Sequence, residues 1–205
     1  MGVYCEHDCA SEALYGRQRR TLQIALTINT VMFGVIVGAA LYGRSTALLA
    51  EGLDNLGDAL TYGLSLYVVS RDRAAKARVA LFKGGLIFLA ATVVAGRIVH
   101  HLLNPNAPLF EVMSVFALLG LAANGTCLWL LWRHRREDIN MSSVWECSRN
   151  DVTANISVLA AAGLVWLTES AWPDLITATG LVLLLLRSSA RVLGSALSEL
   201  RAATS

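Results

Sequence analysis

Apolar residues in this chain are gathered into long blocks, and the breaks between them fall where charges and prolines cluster. The first block, Thr21 to Gly43, carries no charged residue. At 1.5 Å rise per residue its length of about 23 residues covers roughly 35 Å as a helix, enough to cross a bilayer. The second block, Ser45 to Ser70, contains Glu51, Asp54 and Asp58. The third, Val79 to Leu103, has Lys83 and Arg97 near its ends, where long side chains snorkel to the interface. The fourth, Pro108 to Trp132, is free of charge from Val112 onward. The fifth, Met141 to Thr168, holds Glu146, Cys147, Arg149 and Asp151. The sixth, Pro173 to Ser198, is interrupted by Arg187 and Arg191. Asn104-Pro105 and Ala107-Pro108 end helix three, because proline lacks the amide donor and restricts its neighbour. Trp172-Pro173 opens the sixth, with proline in the first turn. The pattern predicts an all-α membrane protein of six transmembrane helices over residues 21–198, with consecutive helices as antiparallel neighbours. A polar tail, 1–20, precedes it and a short tail, 199–205, follows, so no soluble C-terminal domain is expected.

Composition agrees. Of 205 residues, 55% are hydrophobic and 16% charged, against about a quarter charged in a soluble domain; mean hydropathy is +0.54. A net charge of +2 with no basic face argues against nucleic acid as a partner. Of the 17 Lys and Arg, only Arg44 and Arg97 fall on one side of the spans and Arg149 within one. The other fourteen share the side of the N-terminus, which predicts both termini in the cytoplasm. The first twenty residues lack the apolar core of a cleaved signal peptide. Cys5, Cys9, Cys127 and Cys147 make no disulfide framework, so thiols or metal ligands are the better reading.

The chemistry sits in the second and fifth spans. Asp54 and Asp58 are four residues apart and project from one helix face, with Glu51 one turn earlier. A carboxylate in the bilayer core costs several kcal/mol unless it is paired, hydrated, protonated or bound to a cation. The pair is either a structural hydrogen-bonding element or, as intramembrane acids are by default, a cation site. Cys147 and Asp151 offer a matching face at the same spacing. Three carboxylates and a thiolate suit tetrahedral Zn²⁺ and softer ions such as Cd²⁺ better than Mg²⁺ or Ca²⁺. A lone cysteine is usually an inert buried side chain; the register of Cys147 with Asp151 favours a ligand.

The stretch from Ser45 through Glu51, Asp54 and Asp58 resembles helix two of the cation diffusion facilitator family, and Ser143 through Cys147, Asp151 and Asn155 resembles its helix five. The similarity runs from about Arg20 to Ser198. It implies divalent-metal export in exchange for protons, usually by a homodimer, through a site shared by helices two and five. Position by position, that site is Asp54, Asp58, Cys147 and Asp151. Most members carry histidine where Cys147 stands, and the string Cys147-Ser-Arg-Asn-Asp151 resembles a branch of short members. The family's histidine-bearing loop between helices two and three has no counterpart in Arg71–Arg78. The metal is then cargo, no catalytic cofactor is expected, and the bacterial inner membrane is the expected location.

Other features carry two readings each. The tract Cys5-Glu-His7-Asp-Cys9 loads metal or is a polar tail. His100 and His101 receive exiting metal or belong to an interfacial loop. Asn29, Asn124, Asn150 and Asn155 line the path or hydrogen-bond between helices. Glu51 is an acid behind the ligands or lies in the outer interface, and Arg149 points away from the ligands. Gly84, Gly85 and Gly96 permit close helix packing. The rival functions are a membrane metal-binding scaffold without transport and an intramembrane metal-dependent enzyme. The chain has no His-Glu-x-x-His or Gly-x-Ser-x-Gly string, which argues against the enzyme.

Overall fold

In a computed structural model, the backbone is described over residues 3–68, 73–104, 106–132 and 139–204. Within those stretches the side chains at 3–15, 17, 65, 67–68, 73–77, 79, 139–144, 146–147 and 199–204 fall outside the described set. Six helices account for the described backbone: α1 Val3–Gly43, α2 Thr46–Val68, α3 Arg73–Leu103, α4 Phe110–Trp132, α5 Ile139–Thr168 and α6 Trp172–Thr204. Several extend past the apolar blocks; α1 begins at Val3 rather than Thr21, and α3 at Arg73 rather than Val79. Hydropathy marks the lipid boundary, whereas Ala, Arg, Lys and Glu outside it still favour helix.

Parts of α1, α3, α4, α5 and α6 are long and apolar enough to cross a membrane. Helix α2 is as long as α4 but carries three acids, and that polarity decides its place. Its carboxylates are costly against lipid, and among the described residues α2 packs against all five other helices. The helices around it are apolar on their outer faces, with Phe88, Leu118, Trp129, Leu167 and Leu183 among the exposed side chains. Lipid-side threonines satisfy their own hydroxyls by donating to the carbonyl four residues back, as Thr92 does to Phe88 and Thr126 to Ala122.

The interior interleaves small residues with large ones, since lipid tails give apolar side chains no reason to leave them and close packing must supply the attraction. The buried stripe of α4 is Met113, Ala117, Gly120, Asn124, Cys127 and Leu131, in steps of three and four. The main cluster joins Ile36, Leu48, Val94, Ala117, Val158, Ala162 and Leu181. Helix α4 meets α5 through Phe110–Trp166 at one end and Trp132–Trp145 at the other. Gly84 lets α3 approach α6: a Cβ there would lie 2.7 Å from Leu193 Cδ2, and Ser189 Oγ donates to the Gly84 carbonyl. Gly85 and Gly96 face open space instead.

One expectation fails. Among the described residues α3 and α4 do not pack against each other, although consecutive in the chain. Their connection is neither helix nor strand over its described residues, 104 and 106–109. It is tied to α1 instead, where the Leu109 amide donates to the Gly43 carbonyl at 2.9 Å.

The turn into α2 is fully capped. Arg44 takes a left-handed φ of 56°, and Ser45 N donates to Ala40 O, closing α1 in a Schellman arrangement. Ser45 Oγ accepts from Leu48 N as an N-cap. Asp174, in the first turn of α6 and fully buried, accepts from Thr46 N, Ala47 N and Ser45 Oγ at 2.8, 3.1 and 2.6 Å. The three free amides of the first turn and the cap hydroxyl are thus all satisfied. His101 completes this end: Nε2 donates to Asn106 O, and Nδ1 pairs with Thr46 Oγ1.

Candidate metal centre

Asp54 and Asp58 lie on one face of α2 and are half-buried. Asp151, on α5, is buried, and its side chain is hydrogen-bonded to that of Asp58 across the helix interface. Two carboxylates approach this closely only with a proton or a cation between them. The backbone of Cys147 lies in α5 one turn before Asp151, but its side chain falls outside the described residues, as do those of Cys5, His7 and Cys9. Among the described residues no group of three His, Cys, Asp or Glu side chains is placed to hold a metal ion. The centre is therefore three carboxylates in register on two helices, one pair of them in contact.

Three residues carry roles that the sequence does not show, two of them beside Asp58. Lys83, expected to snorkel, turns toward α2: its ammonium donates to Thr61 Oγ1 and lies close enough to Asp58 to act on its charge. Cys127 of α4 is a free, buried thiol, also near Asp58, with Asn29 Nδ2 3.8 Å from its sulfur. Both are isolated polar positions in apolar blocks, and no periodicity connects α3 or α4 to the acids of α2. The third is Asp174, whose capping role follows from tertiary contacts alone.

The asparagines divide. Asn29 and Asn155 are buried and donate to carbonyls of their own helices, Ala25 and Asp151, rather than bridging helices as expected; the Asn29 contact with Cys127 is the exception. Asn124 is buried and Asn150 exposed. Glu51 is 3% exposed and is enclosed within the bundle. His101 is engaged in the capping network, whereas His100 is exposed. Arg149 is exposed and stacks over Trp145 at 5.5 Å, directed away from the acids. A groove lined by Ile98, Leu102, Trp172, Leu175, Ile176 and Thr179 holds no ionisable group.

Residues 22–201 match the model of the cation efflux transmembrane domain. The chain belongs to this family, the cation diffusion facilitators. Among curated relatives, it is 27% identical over 203 residues to an uncharacterized transporter of Synechocystis sp., covering 92% of this chain and 65% of that protein. It is 26% identical over 195 residues to the zinc transporter ZitB of Yersinia pestis, covering 88% and 62%. The chain thus spans less than two thirds of the length of these two relatives.

Proposed function

We propose that this protein carries divalent metal cations, Zn²⁺ or Cd²⁺, out across a bacterial inner membrane in exchange for protons, as a homodimer. The cargo binds between Asp54, Asp58, Cys147 and Asp151. The observation that carries this reading is the contact between Asp58 and Asp151, at the register in which α2 and α5 each present two ligands. Metal ligands must be deprotonated to bind, so protons and cargo compete for the same lone pairs. The four groups exchange them as a coupled set. Lys83 supplies positive charge to Asp58 when the cargo is gone. Asp54 and Asp58 are partly accessible while Glu51 is sealed, which fits a state open toward one end of the bundle. Family membership and likeness to a zinc transporter support the cargo class. They also weigh against a scaffold or an enzyme.

Proteoliposomes containing a pH-sensitive dye test the proposal. Zn²⁺ or Cd²⁺ added outside drives proton movement with the parent chain and none with Asp54→Ala. Absence of metal-dependent proton flux, or full flux in Asp54→Ala, overturns it. Competition among Zn²⁺, Cd²⁺, Mn²⁺ and Mg²⁺ identifies the cargo.

A further inference from the structure

Glu51 and Asn155 form a pair that the proposed transport site does not use. Glu51 lies two helical turns from Asp58 and Asn155 one turn from Asp151, both toward the end where α1 joins α2 and α5 joins α6. Glu51 is 3% and Asn155 1% exposed. Among the described residues, no donor reaches Glu51 Oε1, Glu51 Oε2 or Asn155 Oδ1. The amide orientation is fixed, because Asn155 Nδ2 donates to the Asp151 carbonyl at 2.8 Å and a flipped amide would set oxygen against oxygen there. Both side chains converge over Gly120 of α4. A Cβ at Gly120 would lie 2.2 Å from Glu51 Oε1 and 2.4 Å from Asn155 Oδ1, so the two oxygens are under about 5 Å apart and only glycine leaves them room.

Buried acceptors facing one another without a donor cost several kcal/mol unless a proton or a cation joins them, and a site that can take either is suited to exchange one for the other. From this geometry we infer that Glu51 and Asn155 form a second divalent-cation station, ligated by oxygen alone. Asp54 lies between the two stations on α2, three residues from Glu51 and four from Asp58, and is close enough to Glu51 for their charges to interact. It is placed to serve both. An oxygen-only set favours harder ions than a set with a thiolate does. The station thus prefers Mn²⁺-like ions over thiophilic ones. The inference extends the transport reading but does not need it, since a bound ion is counted whether or not it moves.

Mn²⁺ bound to the full chain in nanodiscs of uncharged lipid is counted by electron paramagnetic resonance. Mn²⁺ is chosen because it is paramagnetic and takes carboxylate and carbonyl oxygens, which both stations supply. The parent is expected to bind two ions per chain, and Asp58→Asn and Glu51→Gln one each. Gly120→Ala, which removes no ligand but crowds both oxygens, is expected to lose the same ion as Glu51→Gln. Asn155→Asp adds a charge to the set and is expected to tighten that ion about tenfold, a gain that misfolding cannot produce. An unchanged ion count in Glu51→Gln, or no tightening in Asn155→Asp, overturns the second station. If only Asp58→Asn loses an ion, the second station falls and the transport reading stands. If metal-driven proton flux is absent while these counts hold, the reverse follows.

Discussion

Two carboxylates lie buried near the same end of the bundle, within a few residues of the start of α2 in space or in sequence, and they are treated in opposite ways. Asp174 receives two backbone amides and a hydroxyl, with an imidazole close by. Glu51 receives no donor among the described residues and faces another bare oxygen. Burial is nearly equal, so burial does not separate a structural acid from a functional one; the supply of donors does. Asp174 fixes where α2 starts, and through α2 it fixes the height of Asp54 and Asp58 in the bundle. Glu51 leaves an electrostatic demand that the fold does not meet.

The comparison breaks first at transport. Asp58→Ala and Asp151→Ala should reduce metal flux to background in vesicles, whereas Asp174→Asn, where it folds, should retain flux, since its carboxylate touches no cargo ligand. Stability should then move in opposite directions. Asp174→Ala strips acceptors from two buried amides and should cost about 2–4 kcal/mol, read as a lower Tm in detergent. Glu51→Gln puts a donor opposite Asn155 Oδ1 and should leave Tm equal or raise it by about 1 kcal/mol equivalent. A fall of Tm in Glu51→Gln as large as that in Asp174→Ala would erase the distinction.

Selectivity comes next. Cys147→His should shift flux from Cd²⁺ toward Zn²⁺ while keeping the total within about tenfold, because imidazole is the harder donor. Lowering pH on the loading side should slow flux for parent and variant alike, since protons occupy the ligands before the metal arrives. The smallest effect belongs to the edge of the capping network. His101→Ala removes two neutral hydrogen bonds and should cost about 1–2 kcal/mol with no change in metal preference.

Much of this was legible in the residues. Long apolar blocks located the helices, because a lipid solvent tolerates only stretches that satisfy their own backbone. The spacing of Asp54 to Asp58 set two carboxylates on one face of α2, because four residues return a side chain to the same face; on α5 the Cys147 side chain lies outside the described residues. Helix ends were less legible: residues 3–20 continue α1, since leaving the apolar block does not end a run of good helix formers. Neighbour relations were the least legible. That α3 and α4 lie apart, that Lys83 turns toward Asp58 and that Glu51 meets Asn155 over Gly120 depend on how helices rotate against each other. One-dimensional periodicity records which face is polar but not which partner it finds. Glu51 shows the limit well, since its position one turn from Asp54 suited an outer interface equally.

Metal transport as proposed requires α2 and α5 to hold one dication between three carboxylates and a thiolate. X-ray absorption at the zinc edge of the Zn²⁺-loaded chain reads that shell. One sulfur at about 2.3 Å and oxygens at about 2.0–2.2 Å are expected, with the sulfur lost in Cys147→Ser and the bound zinc lost in Asp58→Asn. A zinc shell that keeps its sulfur and its occupancy through both substitutions would place the metal elsewhere and rule out this centre.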